Sequence, residues 1–315
     1  MFERCDMTPT KDMTRLEWLA ARRTGIGGSD AAAVAGLSPW ATPYTVYLDK
    51  LGLLQEQEET EAMRQGRDLE EYVAQRFVEA TGKKVNRCNF MVRNPKYPFA
   101  VADIDRRVVG ENAGLECKTT SSLNVRQFNG VDFPDKYYAQ CLHYMAVTGA
   151  ERWYLAVLVL GREFHVYCLE RDEAEISALM GMEDAFWAQV QDKEPPDITG
   201  HHADTAAIGT LWAESNGGEE ADLLGTEETF SFLEAVEKQI QTLQGFRDAY
   251  INEIKERMAT AERGYCGGYC ASWKTQQRRT LDRKALAADY PDIDFDKYMK
   301  VSTSRPFKWK RQEEQ

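Results

Sequence analysis

The sequence predicts a mixed α/β (α+β) fold followed by a long helix and a small α/β tail. Three observations predict it. Over residues 1–200, segments with apolar residues at 3–4 spacing are interleaved with short runs that alternate with period two. After the prolines of "DKEPPDITG" comes a weakly patterned acidic stretch, "HHADTAAIGTLWAESNGGEEADLLG". Beyond it a continuous 3–4 pattern opens at Glu227. The expected organisation is a domain over 1–200, a linker over 201–226, a long helix over 227–262 and a small basic unit over 263–315.

Taken in order, "DMTRLEWLAARRTGIGGSDAAAVAGLSPWATPYTVYLDKLG" reads as three helices separated by a glycine turn and a proline turn. In "GIGGSDAAAVAG" the glycines permit a tight turn, and Ser29 or Asp30 is placed to cap the alanine-rich helix. Such a helix start attracts phosphate, although a plain N-cap explains the residues as well. "EAMRQGRDLEEYVAQRFVEATGKKV" sets Leu69, Val73, Phe77 and Val78 on one side of a helix, with Glu70 adjoining that face and Glu71 further out. Strands are expected at "KVNRCNFMVRN", "PFAVADIDRRVV" and "AGLECKTTS", and a helix at "PDKYYAQCLHYMAVTG". "RWYLAVLVLG" and "REFHVYCLER" form a hairpin, and "DEAEISALMGMEDAFWAQVQ" an amphipathic helix. In the long helix, Leu233, Val236, Ile240, Leu243, Tyr250 and Ile254 keep 3–4 spacing, interrupted by Arg247. The tail reads as strand, short helix, strand.

Composition narrows the class. No apolar run approaches a membrane span, and "MFERCDMTPTKDM" lacks the apolar core of a secretory signal, so a cytoplasmic protein is expected. Seven scattered cysteines fit reduced, buried thiols better than a disulfide framework. "CGGYC" (Cys266, Cys270) has no second ligand pair nearby and reads as a glycine turn rather than a zinc site. The net charge of −12 is uneven, because residues 263–315 carry twelve Lys/Arg against seven Asp/Glu. Of the histidines, His143, one helical turn after Gln140, reads as a packed helix residue with a place near the site as the alternative, His165 as structural, and His201 and His202 as solvated.

The run "FAVADIDRRVVGENAGLECKTT" places acids and a lysine where a strand should be apolar. Alternation sets Glu116 and Lys118 on one face with Cys117 on the other, and likewise pairs Asp103 with Asp105. A hairpin through "GENAG" would bring a carboxylate from each strand and an ammonium to one patch. A structural salt bridge accounts for such a patch. So does a hard divalent cation with oxygen ligands, beside a lysine that orients water or meets charge on a phosphate.

The D…ExK pattern resembles the PD-(D/E)xK nuclease superfamily. Five blocks in order resemble its phage lambda exonuclease and YqaJ-type viral recombinase family: "EWLAARRTGIGGSDAA", "SPWATPYTVYLDKLG", "GRDLEEYVAQRF", "ADIDRRV…GLECKTT" and "YYAQCLHYMAVTG". The resemblance implies a restriction-endonuclease-like core with a mixed central sheet flanked by helices. It implies that Asp105 and Glu116 are metal ligands, with Glu70 near the metal and the Cys117 backbone carbonyl completing the sphere. Lys118 is then the catalytic lysine and Gln140 an organiser of the site. Arg22 and Ser29 match positions that hold a phosphate at a DNA end, and Trp18 an aromatic preceding that arginine. Ile104 stands where proline is common, and Asp103 competes with Asp105.

The resemblance further implies a Mg²⁺-dependent DNA exonuclease of phage recombination, with Mn²⁺ a substitute, working 5′→3′ on linear duplex ends and leaving a 3′ overhang. The implied partners are double-stranded DNA ends, a phage single-strand annealing protein and copies of the chain itself, a trimer by analogy, with no membrane. The tail's Lys274, Arg278, Arg279, Arg305, Lys308 and Lys310, interleaved with Trp273, Phe307 and Trp309, suit a DNA backbone or a solvated face equally. An endonuclease of the same superfamily, and a non-catalytic DNA-binding protein on a nuclease scaffold, remain the alternatives.

Overall fold

A computed structural model describes residues 5–54, 59–128, 132–278, 280–290, 293–300 and 304–309. Chain contacts divide it into two units, Met1–Ala213 and Glu214–Gln315.

The first unit opens with β1 (Asp6–Pro9), α1 (Arg15–Arg23), α2 (Gly28–Val34), α3 (Pro43–Lys50) and α4 (Glu61–Thr81). Each helix has a local reason to start. Thr14 and Glu17 close a capping box on α1, Thr42 caps α3 with Pro43 at its first turn, and Thr60 caps α4. For α2 the cap is Gly27, whose N–H donates to Asp30 Oδ2 at 2.9 Å. Next come β2 (Val85–Arg87), β3 (Phe90–Arg93), β4 (Val101–Asp103), β5 (Arg106–Val108) and β6 (Ala113–Thr120). A 3₁₀ turn at Ser122–Gln127 leads to α5 (Asp135–Thr148), β7 (Arg152–Val159), β8 (Phe164–Glu170), α6 (Glu173–Asp192) and α7 (His202–Leu211).

The main sheet has the order β2-β5-β6-β7-β8, with β6 parallel to β7 and the other pairs antiparallel. Period two on β7 builds both layers around it. Trp153, Leu155, Val157 and Val159 join the larger core, which holds α2, α5 and α6 residues. Tyr154 and Ala156 join the smaller core with Val73 and Phe77 of α4. The sheet is therefore mixed and helix-flanked on both faces, as the family resemblance implies. On β6, Ala113 and Leu115 belong to the α4 side, so Glu116 and Lys118 fall on the α5 side. Gly114 lets Trp153 close over the strand: a Cβ there would lie 2.3 Å from the indole ring.

Two expected strands are each divided. "KVNRCNFMVRN" becomes β2 and β3, and "PFAVADIDRRVV" becomes β4 and β5, because β3 pairs with both β1 and β4 in a separate three-stranded sheet. The chain changes sheets at buried Ile104, so Asp103 and Asp105 lie on opposite sides of a break rather than along one strand. The expected linker over 201–226 contains α7, which belongs to the first unit. Its Asp204 is fully buried, accepting from the Thr42 hydroxyl and from the Thr199 N–H at 2.8 Å. His201 caps α7 rather than floating in solvent, while His202 is exposed.

The second unit contains α8 (Glu227–Met258), the hairpin β9 (Arg263–Cys266) and β10 (Tyr269–Ser272), α9 (Arg283–Asp289) and a 3₁₀ turn at Phe295–Tyr298. "CGGYC" supplies the hairpin turn, with Gly267 at φ +56°. Residues 304–309 form no strand, unlike the expected last element. The cysteines also depart from the expectation of buried thiols. All seven are thiols, but only Cys141 is buried, and Cys168, Cys266 and Cys270 are exposed. No helix among the described residues is long and apolar enough to cross a membrane.

Candidate active site

Four elements converge on the α5 face of β6. The β5–β6 hairpin, with Arg106 opposite Leu115, lays Asp105 against the strand that carries Glu116. Asp105 Oδ2 accepts from the Cys117 N–H at 2.8 Å, where β5 no longer supplies a ladder partner. Glu116 is 3% exposed, and its Oε1 lies 2.6 Å from Lys118 Nζ and 2.7 Å from Gln140 Nε2. Gln140 also donates to Tyr144 Oη at 2.8 Å. Asp105, Glu116, Lys118 and Gln140 thus form one cluster, built by strand alternation and one turn of α5.

Electrostatics marks this cluster as short of positive charge. Burial, then the charges of Glu116 and Glu70, push Asp105 well above the usual carboxylate range. Burial also raises Glu116, partly offset by the Lys118 ammonium. Burial alone would lower Lys118, but Glu116 and Asp105 outweigh it and keep the amine charged. Glu116 Oε2 is buried with no hydrogen-bond partner among the described residues. An orphaned carboxylate oxygen beside a second crowded carboxylate is a donor set that fits a hard divalent cation.

Glu70 is placed differently. Its carboxylate is paired to Arg106 Nη1, while Arg106 Nη2 reaches Glu71 at 3.0 Å. Arg106 is 2% exposed and also donates to the Asp105 carbonyl at 2.8 Å. It pairs with Glu70, whose charge still acts on Asp105 and Glu116. No group of three or more Asp, Glu, His or Cys side chains forms a ready metal cluster among the described residues.

A cavity of about 200 Å³ adjoins the cluster, lined in part by Trp18, Arg22, Ser29, Asp103, Lys118 and Gln140. Arg22 donates to Ser29 Oγ at 2.8 Å and stacks over Trp18 with its guanidinium carbon 4.9 Å from the ring centre. Trp18 Nε1 donates to Asp103 Oδ2 at 2.7 Å, so Asp103 faces the cavity and is engaged by the indole. Burial raises Asp103, with the Trp18 bond and Arg22 offsetting it. Beneath Arg22, Asp30 binds Lys50 Nζ at 2.6 Å and lies 3.6 Å from Arg22 Nη2. Gly28 carries no Cβ because Tyr144 occupies that space, 2.6 Å from where one would stand.

His143 lies outside the cavity. It is fully buried with Nδ1 2.8 Å from Glu183 and Nε2 2.9 Å from the Val101 carbonyl. The Val101 carbonyl can only accept, so Nε2 donates to it, and Nδ1 shares a hydrogen bond with the Glu183 carboxyl. Burial would lower its pKa, but Glu183 and the Val101 carbonyl raise it. His165 is half-buried beside Glu163. In the tail, Trp309 donates to Glu237 at 3.1 Å and stands near Phe230, while Trp273 and Phe307 are exposed. Arg279 and Lys310 lie outside the described residues.

Sequence reasoning missed Arg106, Tyr144 and the Asp30–Lys50 pair. Arg106 sat in an expected strand as one of two adjacent arginines, with no local sign that it faced inward.

Residues 17–151 match the YqaJ-like viral recombinase domain. A Bacillus subtilis (strain 168) protein, YqaJ, is 36% identical over 306 residues, covering 96% of each chain. The chain belongs to the YqaJ family. The matched family domain contains Trp18, Arg22, Ser29, Glu70, Asp105, Glu116, Lys118 and Gln140. Among solved structures, the alkaline exonuclease LHK-Exo of Laribacter hongkongensis in complex with dAMP is similar, with a TM-score of 0.49 and 21% identity, over 57% of this YqaJ-family chain and 94% of that one. A phage related exonuclease from Haemophilus somnus 129PT gives a TM-score of 0.40 at 13% identity, over 54% and 96% of the two chains.

Proposed function

We propose that this YqaJ-family protein is a divalent-metal-dependent DNA exonuclease acting in phage or prophage recombination. The observation that carries the reading is the orphaned Glu116 Oε2 beside buried Asp105, with Lys118 and Gln140 on the same carboxylate. Asp105 and Glu116 would hold the ion, with the Cys117 carbonyl, and Mg²⁺ or Mn²⁺ suits their hard oxygens. When bound, such an ion supplies Lewis-acid polarisation of a phosphodiester. Lys118, charged and about a quarter exposed, meets the scissile phosphate and the attacking water. Gln140, fixed between Glu116 and Tyr144, orients that water. Glu70, held by Arg106, tunes the charge of the pair from outside it. Arg22 and Ser29, backed by Trp18, receive the phosphate of the DNA end.

The 5′→3′ direction, release of 5′-phosphorylated nucleotides and a 3′ overhang follow the family resemblance, as do a single-strand annealing partner and a cytoplasmic setting in the bacterial host. Self-assembly belongs to the same reading: α8 exposes Val236, Ile240, Leu243, Tyr250 and Ile254 at 3–4 spacing, a seam that a second copy of α8 would cover.

The test is digestion of a linear duplex labelled separately at its 5′ and 3′ ends, beside closed circular duplex, with Mg²⁺ or with chelator. Early loss of the 5′ label from linear DNA alone, only with metal, is the expected result. Cutting of closed circles would instead make the protein an endonuclease, and binding without hydrolysis a non-catalytic one.

A further inference from the structure

Outside the cavity, Lys136 poses an electrostatic problem. It lies in the first turn of α5, four residues before Gln140, and so on the Gln140 side of that helix. Its Nζ stands 4.9 Å from the centre of the Tyr137 ring, and Lys118 Nζ stands 5.7 Å from the same ring. Two ammonium groups therefore share one aromatic side chain. Lys118 has Glu116 as a counter-charge. Lys136 has no ion pair among the described residues, although Asp135 precedes it in the chain. The first turn of a helix is also its positive end, where a cation is disfavoured. Burial and the Lys118 charge together lower the Lys136 pKa.

On its outer side Lys136 meets Trp40, in the loop between α2 and α3, with Nζ 5.9 Å from the ring centre. Trp40 is 72% exposed, so its indole is open to a further flat group. The order outward from the acid cluster is Lys118, Tyr137, Lys136, Trp40. Cation alternates with ring along this ledge, and the outer cation, Lys136, is the one without an ion pair among the described residues. A polymer with regularly spaced anions and flat bases matches that alternation.

We infer that Lys136 and Trp40 form a second nucleic-acid subsite beside the Lys118 pocket, Lys136 binding a backbone phosphate next to the scissile one and Trp40 stacking on a base. The inference rests on the nuclease reading for the identity of the strand. Its role is to position substrate, with Lys118 at the reacting phosphate and Lys136 outside it. A lysine merely lying on aromatic rings for packing would give the same contacts but no dependence on DNA charge.

The test uses the full chain and a short fluorescent blunt duplex, with Ca²⁺ in place of Mg²⁺ to hold hydrolysis, titrated at several salt concentrations. Lys136→Gln should weaken binding roughly 3- to 10-fold and reduce the slope of log affinity against log salt by about one phosphate contact. Lys136→Arg should keep the wild-type slope. Trp40→Ala should weaken binding about 5-fold or more with the slope retained. Matching melting curves exclude misfolding of the variants. Unchanged affinity and slope in Lys136→Gln would overturn the subsite while leaving Mg²⁺-dependent digestion intact. A wild-type protein that fails to digest DNA, yet binds it through Lys136, would sink the nuclease reading and keep the subsite. Failure of the wild type to bind the duplex at all would end both.

Discussion

The side-chain amide of Gln140 donates to Glu116 Oε1 at 2.7 Å and leaves Oε2 of the same carboxylate buried without a partner among the described residues. One oxygen is thus fixed by the fold and the other is kept for something the chain does not supply. Asp105 and Glu116 are both raised above their ordinary values of 3.8 and 4.5. A raised carboxylate binds its proton more tightly in the folded state, so the contribution of this pair to metal-free stability should be greatest at low pH and fall as pH rises above those ordinary values. A divalent ion replaces the lost protons. Mg²⁺ at a hundredfold over its dissociation constant should stabilise the protein by ~2.7 kcal/mol at about pH 8, and by less at about pH 5. Urea unfolding with Mg²⁺ or chelator measures this, and equal shifts at both pH values would refute it.

Lys118→Ala removes the ammonium that faces the cavity. Hydrolysis should fall about 10²- to 10⁴-fold while binding to DNA ends in Ca²⁺ survives. Single-turnover digestion beside a binding titration separates the two, and an unchanged rate removes Lys118 from the chemistry.

Arg106→Met leaves Glu70 uncompensated near Asp105 and Glu116. Because Glu70 and Glu71 are partly exposed, the cost should be at most ~3 kcal/mol, below that of a fully buried pair. Arg106→Lys should restore only part of it, since a single ammonium cannot span both carboxylates. Denaturant midpoints decide the matter.

The buried His143–Glu183 pair carries its own pH signature. A histidine raised above its ordinary 6.5 stabilises the fold below that value, and the contribution is lost as pH rises through the folded pKa. The contribution of this pair to wild-type stability should therefore decline as pH rises above the ordinary 6.5. The double variant His143→Gln, Glu183→Gln should decline less steeply, as measured by urea midpoints across that range.

Gly28→Ala would drive a methyl into the ring of Tyr144, whose hydroxyl accepts from Gln140. A destabilisation of ~1–3 kcal/mol should accompany slower hydrolysis, because Tyr144 must move and Gln140 with it. Gly209→Ala, inside α7 where nothing beyond the local backbone lies within 4 Å of the added carbon, serves as the comparison without a steric conflict.

Period two made the acid cluster legible in the sequence. Glu116 and Lys118 had to share a face once "GLECKTT" was a strand, and "GENAG" had to turn the chain back towards Asp105. The change of sheet at Ile104 was not legible, because the apolar pattern runs unbroken through it while the partners, β1 and β3 on one side and β2 and β6 on the other, lie elsewhere in the chain. Arg106 was hidden for a similar reason: Glu70 and Glu71 are 36 and 35 residues away on α4. The packing of α7 was hidden too, since what makes Asp204 a buried residue is Thr42, 162 positions earlier.

The division of contacts after Ala213 leaves every residue of the cluster and cavity on one side of it. The same holds for every buried apolar side chain among the described residues except Met258. The walls of the cavity are therefore drawn wholly from the first unit, so the sequence from Glu214 onward can vary without exchanging a single residue that lines it.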